Sequence, residues 1–316
     1  MEQKGTLIVI LGPTGVGKTA AAIAVARHLG AEIISADSRQ IFRGIPIGTA
    51  APTAEELAAV PHHFVGFKDL DEYYSAAQFE SDVMQLLPRL FGRSPYAVMC
   101  GGSMLYIDAV CRGIDEIPTI SPEVRERVIR MRDECGIEGI AAQLELLDPE
   151  YMATVDRSNT KRLMHALEIG FQSGRSYTSL RTGRRKPRPF KIIKIGLNMP
   201  REELFARINR RVDAMIAQGL EAEARSVYSR RHLNSLNTVG FKEMFAYFDY
   251  LSARDGGFAW AVDLTTVIER IKKNTRVYAK KQLTWFRRDP EVHWMHPCDL
   301  MQKPGIEPKN VIRKDI

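Results

Sequence analysis

Eight consecutive residues near the start of the chain have the types and spacing that bind phosphate. Three glycines let backbone N–H groups turn toward an anion, and a helix that begins behind them adds about half a positive charge. A lysine supplies a mobile ammonium, and a threonine hydroxyl can bind Mg²⁺. The pattern G-x-x-x-x-G-K-T therefore predicts a di- or triphosphate site formed by Gly12, Pro13, Thr14, Gly15, Val16, Gly17, Lys18 and Thr19.

The segments on either side of this loop have the required character. The apolar residues 7–11 predict a buried strand, and the alanine-rich residues 20–29 predict a helix. A strand, a tight glycine loop and a helix in this order form a phosphate-binding loop, so a chance glycine turn is a poor explanation.

Asp37 follows a second predicted strand, residues 31–35. In parallel α/β sheets ligands bind at the carboxyl ends of the strands, so we expect Asp37 close to the phosphate loop. A carboxylate there could bind Mg²⁺ through water or act as a general base. An N-cap or turn aspartate is an equally good reading from position alone.

Two further strands, residues 95–100 and 190–197, complete the predicted sheet. The first of them ends in Cys-Gly-Gly rather than in an acidic residue, and the chain has no Asn-Lys-x-Asp motif, which argues against motor ATPases and GTPases. Between these strands, residues 112–186 are helical and charged. We therefore predict an α/β fold, a P-loop NTPase-like parallel sheet core with helices on both faces (residues 1–111 and 187–316) and a helical insertion domain (residues 112–186).

Shorter elements are predicted from local pattern. Helical spacing covers residues 73–90, and within the insertion a helix starts at Ser121, a second covers residues 139–147 and a third covers residues 160–173. Residues 47–52 and 61–64 are expected to be loops around a short helix at residues 54–59. The tail beyond Pro297 is expected to be loose.

The net charge of +7 indicates a polyanionic partner. Residues 181–194 hold seven basic and no acidic residues, and the predicted helix 268–286 interleaves basic residues with Tyr278, Trp285 and Phe286. Such surfaces suit RNA, whose splayed bases stack on aromatic rings. A solvated loop and an amphipathic core helix with a charged outer face remain alternatives.

Other features narrow the class of protein. The four cysteines lack C-x-x-C spacing, so we expect free thiols, and adjacent His62 and His63 point in different directions on a regular element, which disfavours a joint metal site. No apolar run approaches the ~20 residues of a membrane span. Because the first strand follows Met1 closely, we expect no signal peptide and a cytoplasmic protein.

Several stretches together resemble one family, the tRNA dimethylallyltransferases, over about residues 5–295. The resemblance implies transfer of a dimethylallyl group from dimethylallyl diphosphate to N6 of the adenine 3′ of the anticodon, tRNA position 37, in tRNAs that read codons beginning with U. Ser103 stands where the family usually has threonine, and His165 where it has arginine. The matching stretches are residues 12–19, 34–40, 47–50, 61–63, 101–106, 200–204, 211–215, 239–243 and 275–288.

The resemblance also implies roles for individual residues. Asp37 would be the general base, while Lys18, Thr19 and Arg211 would assist the departure of diphosphate, with Mg²⁺ as cofactor at Thr19. No partner chain is required, so a monomer is expected. The implied tRNA contacts are Asp37, Ser38, Arg39, Gln40, Ser103, Arg125, Lys161, Arg162, His165, Arg276 and Lys280.

Two other functions compete with this interpretation. A small-molecule or nucleoside kinase could use ATP on the same loop, but the chain lacks a recognisable lid arginine pattern. A non-catalytic RNA-binding protein could carry a relic loop, but Lys18, Thr19 and Asp37 are intact.

Overall fold

The computed structural model describes residues 5–253 and 263–302. These residues form two compact units: the first contains the described residues up to Cys111 and from Arg188 onward, and the second is Arg112–Pro187. Among the described residues, no helix combines the length and apolar character needed to cross a bilayer.

The first unit is built on a parallel sheet of six strands in the order β3-β2-β4-β1-β5-β6. Leu11 and Ala36 both pair with Gly101, so three strands end level with one another. The strands are β1 (Thr6–Leu11), β2 (Ile33–Ala36), β3 (His62–His63), β4 (Tyr96–Gly101), β5 (Lys191–Leu197) and β6 (Val292–Met295).

Successive side chains of β1 point to opposite faces of the sheet. Ile8 and Ile10 pack in one buried cluster, while Leu7 and Val9 pack in another. The helices that carry most of these contacts are α1 (Lys18–Leu29) and α10 (Arg201–Ala217) on the first face, and α4 (Ala76–Phe91) and α5 (Met104–Arg112) on the second. The prediction of a parallel α/β core with helices on both faces is confirmed.

A third buried cluster contains residues of the helices that lie between β5 and β6 in the sequence. Phe241, Val212 and Ile271 belong to this cluster. The long helix α13 (Leu264–Phe286) contributes to all three clusters, through Ile271, Ala279 and Phe286. The remaining helices of this unit are α2 (Pro46–Thr49), α3 (Ala54–Ala59), α11 (Leu220–Ser226), α12 (Phe241–Ala253) and α14 (Pro297–Gln302), with 3₁₀ turns at Tyr228–Arg230 and Asn234–Leu236.

The second unit is helical. It contains α6 (Pro122–Leu147), α7 (Pro149–Thr154), α8 (Thr160–Ser173) and α9 (Tyr177–Leu180). Val128, Ile140 and Leu163 are fully buried in its own core.

Two predicted loops are regular elements in the structure, and those predictions were wrong. The one-turn helix α2 lies in the first, where Glu223 accepts the backbone N–H groups of Ile47 (2.8 Å) and Gly48 (2.7 Å). Strand β3 lies in the second and pairs with β2. Partners distant in sequence stabilise both elements, so local pattern could not predict them.

One helix prediction is confirmed and another needs correction. The stretch α6 consists of two helices that meet at a kink at Gly136, whose φ of 69° is readily adopted by glycine, and residues 139–147 lie in the second of them. The tail is not wholly loose: α14 is helical, and its Leu300 packs in a core cluster. The rest of that tail prediction falls on residues outside the described ranges.

Candidate functional site

The predicted phosphate loop connects β1 to α1 at the carboxyl edge of the sheet. Gly17 caps α1 with a φ of 100°, and no side chain accepts the first backbone N–H groups of the helix. Gly12 (φ 147°) leaves no room for a side chain, because a Cβ there would lie 2.5 Å from the carbonyl oxygen of Leu197. The loop thus presents free N–H groups and a helix N-terminus, an arrangement that binds anions.

Lys18 folds back over this loop. Its ammonium donates a hydrogen bond to the carbonyl oxygen of Pro13 at 2.8 Å. The pKa of Lys18 is lowered to about 8, chiefly because the group is buried; the charge of Arg211 acts in the same direction, while Cys100 and Asp37 oppose the shift. An anion in the loop would relieve this cost of burying an uncompensated charge.

Two arginines of α10 reach the loop from the side. Arg207 donates from Nε to the carbonyl oxygen of Gly15 (3.1 Å), and Arg211 donates from Nη1 to the hydroxyl of Thr14 (3.3 Å). The spacing of four residues places both on one face of the helix. Burial lowers the pKa of Arg211, and the charge of Asp37 opposes that shift.

Asp37 begins a tight turn directly after β2. Its Oδ1 accepts the backbone N–H of Arg39 at 2.9 Å and that of Gln40 at 3.3 Å. The alternative of a turn aspartate is therefore correct as a local description. Asp37 also lines two neighbouring cavities.

Other predicted residues support this turn. The Ser103 hydroxyl accepts the backbone N–H of Ser38 at 2.8 Å, and Ser103 is buried. The side-chain amide of Gln40 donates a hydrogen bond to the carbonyl oxygen of Ala50 at 2.9 Å and accepts one from the hydroxyl of Ser35. The guanidinium of Arg39 donates to the carbonyl oxygen of Asn234 at 2.7 Å. These contacts fix the shape of the cavity walls.

A first cavity of about 470 Å³, the loop cavity, contains the phosphate loop. A second cavity of about 490 Å³ lies beside it and is lined by Ser38 and Arg39 together with polar residues of α12 and α13. Four residues line both cavities: Thr14, Asp37, Arg211 and Tyr278. Two ligands, one in each cavity, would meet at Asp37.

The loop cavity has the groups that Mg²⁺ prefers. Thr19 lines it, and so do the carboxylates of Asp37 and Glu56. Among the described residues, no three His, Cys, Asp or Glu side chains form a cluster that could hold a metal ion. Mg²⁺ in general binds few protein groups and takes its other ligands from water and phosphate oxygens.

Arg276 and Lys280 lie on α13 but line neither cavity. The Arg276 guanidinium donates to Asn209 at 2.6 Å and lies 5.9 Å from the ring centre of Phe205. The Lys280 ammonium lies 5.7 Å from the same ring and is exposed.

In the second unit, Arg125 and His165 both face the buried carboxylate of Glu168, at 3.8 Å and 3.5 Å. Lys161 and Arg162 lie in the first turn of α8, and their side chains are exposed.

Sequence reasoning missed several residues that line the loop cavity. Arg207 could have been recognised from its spacing of four to Arg211, whereas Glu56, His62 and Gln282 had no local signal.

The adjacent histidines have separate partners. His62 Nδ1 lies 2.7 Å from the carbonyl oxygen of Val60, and His63 Nε2 lies 2.6 Å from Glu32. All four cysteines are free thiols.

A family model described as IPP transferase matches residues 40–289. The chain belongs to the IPP transferase family. It is 53% identical to tRNA dimethylallyltransferase 1 of Bacteroides fragilis over 292 aligned residues, which are 92% of this chain and 94% of the relative. The predicted resemblance is confirmed.

Solved structures agree with this assignment. The full-length tRNA isopentenylpyrophosphate transferase of Bacillus halodurans matches with a TM-score of 0.67 at 34% identity, over 98% of both chains. A structure described as a eukaryotic dimethylallyltransferase acting on tRNA matches with a TM-score of 0.78 over 98% of this chain and 78% of the other. At 24% identity the second match bears on the fold alone.

Proposed function

We propose that this member of the family transfers a dimethylallyl group from dimethylallyl diphosphate to N6 of adenine 37 in tRNAs that read codons beginning with U. One observation carries the proposal: Asp37 lines both the phosphate-loop cavity and the second cavity beside it. The diphosphate would bind in the first cavity, and the unstacked adenine would enter through the second. The names of the relatives support this choice of substrates.

The proposed reaction forms one bond and breaks one. N6 of adenine attacks C1 of the allyl group, the C1–O bond to diphosphate breaks, and the proton leaves N6 as the new C–N bond forms. Asp37 takes that proton, because an exocyclic adenine amine is a poor nucleophile without a base. Its Oδ1 accepts hydrogen bonds from the backbone of Arg39 and Gln40, which would hold the carboxyl group in place.

The leaving group develops negative charge as the bond breaks. Lys18, Arg211 and the free N–H groups at the start of α1 would stabilise that charge electrostatically. Mg²⁺ held by Thr19 would neutralise diphosphate charge when bound. In this proposal Lys18 leaves the carbonyl of Pro13 and turns to the anion, which also removes the penalty that lowers its pKa.

The proposed tRNA surface extends beyond the cavities. Arg276 and Lys280 offer cations on α13, and Arg125, Lys161 and Arg162 offer them on the helical insertion, where His165 offers an imidazole ring. Cations of this kind bind the phosphate backbone without reading sequence. We further propose that a monomer acts in the cytoplasm, because one chain supplies every group named here and tRNA is found in that compartment.

The test combines the protein with Mg²⁺, dimethylallyl diphosphate and an anticodon stem-loop that carries three adenines on the 3′ side. We expect the RNA to gain one C5H8 unit. Asp37→Asn keeps an oxygen for the turn but removes the base, so the rate should fall about 10²- to 10⁴-fold while diphosphate still binds. Asp69→Asn, on an exposed aspartate paired with Arg43, is the matched control.

Two outcomes would contradict the proposal. Phosphate transfer or hydrolysis with ATP, and no mass gain with the prenyl donor, would assign the loop to a kinase or ATPase. Stem-loop binding without any product would assign the chain to the non-catalytic RNA-binding class.

A further inference from the structure

Gln282 is a buried amide on a helix with a charged outer face. It lies on α13 between the exposed side chains of Lys281 and Thr284, yet only 2% of Gln282 is exposed. A fully buried amide must form hydrogen bonds at both ends, because each unmet polar group costs about 1–3 kcal/mol. Its partners therefore reveal its role.

Two backbone partners of Gln282 belong to the carboxyl edge of the sheet, and Tyr278 on its own helix is a side-chain partner. Its Oε1 accepts the backbone N–H of Thr14 at 2.8 Å, and its Nε2 donates to the carbonyl oxygen of Gly102 at 2.9 Å. An amide has the acceptor and the donor that these two backbone groups need, whereas a carboxylate has no donor and a thioether has neither of comparable strength.

The surrounding residues accommodate this amide closely. A Cβ at position 102 would lie 2.4 Å from Nε2 of Gln282, so Gly102 gives the side chain its space. One turn earlier on the same helix, Tyr278 lines both cavities. The helix thus reaches the phosphate loop and the junction of the cavities from one face.

The hydrogen bond to Thr14 has a consequence for anion binding. The N–H of Thr14 is directed to Gln282, so it is not one of the free donors of the loop. Meanwhile the hydroxyl of Thr14 accepts from Arg211 at 3.3 Å. Gln282 therefore fixes the residue that in turn positions an arginine at the loop cavity.

We propose that Gln282 is a positioning residue for the phosphate loop: it holds Thr14, and through Thr14 it holds Arg211, in the geometry that binds diphosphate. The inference deepens the proposed function and rests on it for the identity of the anion. It assigns to α13 a part in binding the prenyl donor, through a residue that lies 268 positions from Thr14 in the sequence.

The first experiment measures binding of inorganic diphosphate and of the anticodon stem-loop separately, by titration calorimetry. In Gln282→Met we expect diphosphate to bind about tenfold more weakly or worse, as the loss of a buried hydrogen-bonded group implies. The stem-loop affinity should stay within about twofold. Gln85→Met makes the same chemical change at an exposed glutamine of α4 and should alter neither affinity.

The same split should appear in the transfer assay, where the KM for the prenyl donor rises and the KM for the stem-loop does not. A Gln282→Met protein that melts at a lower temperature but binds diphosphate within twofold of wild type would overturn the inference, because Gln282 would then only support packing. If the wild type binds diphosphate but transfers no prenyl group, the proposed function fails while the binding ratio still decides the role of Gln282.

A measurement on the wild type covers the case in which the variant does not fold. NMR hydrogen exchange should show a protected Thr14 amide before diphosphate is added, since Gln282 already accepts its proton. Diphosphate should then shift the amide signals of Gly17, Lys18 and Thr19 more than that of Thr14. A Thr14 amide that exchanges as fast as an unbonded loop amide would overturn the proposal.

Discussion

The ammonium of Lys18 donates to the carbonyl oxygen of Pro13 at 2.8 Å, inside the phosphate loop itself. In the free protein this contact only partly offsets burial, and the pKa of Lys18 is lowered to about 8. The loop therefore holds a cation that gains stability when an anion arrives.

Diphosphate binding should depend on this ammonium. Below pH 8 Lys18 is charged, and above pH 8 it loses its proton in the free protein, so the affinity should fall as the pH rises from 8 to 10. Binding in that range should take up a proton, because bound diphosphate favours the charged form. Calorimetry in buffers of different ionisation enthalpy measures the uptake.

Lys18→Met is the comparison for that pH profile, since diphosphate titrates in the same way with both proteins. The variant should bind weakly, and its affinity should lack the decline that Lys18 causes. Identical profiles for the two proteins would show that another group controls the pH dependence.

Ser103 should support catalysis from behind the turn rather than by contact with the reacting atoms. In Ser103→Ala the part-buried N–H of Ser38 loses its acceptor, which should cost about 1 kcal/mol of unfolding free energy and reduce the transfer rate. Ser103→Thr keeps the hydroxyl and should retain most activity. If alanine and threonine variants were equally active, the turn would not need this bond.

Lys161 and Arg162 should contribute to RNA binding through charge alone. Replacing either by alanine should weaken stem-loop binding uniformly across RNA sequences and lower the slope of log affinity against log salt by about one. Filter binding at several salt concentrations measures that slope. Arg130→Ala, on an exposed arginine of α6 paired with Glu126, is a control of the same kind; equal slopes for Arg162→Ala and wild type would exclude Arg162 from the interface.

Arg188 forms a buried ion pair with Glu80, at 2.5 Å and with 8% of each side chain exposed. It also donates to the carbonyl oxygens of Val110 and Ala109. Arg188→Met removes one partner of this buried ion pair together with its two hydrogen bonds to backbone carbonyls, so the free energy of unfolding should fall by about 3–5 kcal/mol. Urea denaturation measures this loss.

The double variant with Glu80→Gln should recover part of that stability, because it also removes the charge of the other member of the pair. Arg93→Met is the exposed counterpart, since 64% of the Arg93 side chain is accessible, and should cost no more than about 1 kcal/mol. Equal losses for the two arginine variants would contradict a buried role for Arg188.

The sequence alone determined the parts of this protein that depend on neighbouring residues. The glycine and lysine pattern of residues 12–19, with an apolar strand before it and a helix after it, is a local arrangement, and so is Asp37 at the end of the next strand. Because the carboxyl ends of parallel strands meet at one edge, these two segments could be placed together without a structure.

Only the tertiary structure decided what surrounds them. Gln282 lies at Thr14, and Arg207 lies at Gly15, through contacts that span most of the chain. Asp37 is a turn residue by its hydrogen bonds and a cavity residue by its position, and the local pattern could not distinguish these roles because both need a short carboxylate after a strand. Such contacts arise when distant helices pack on the sheet, and no periodicity within one segment encodes the partner of another.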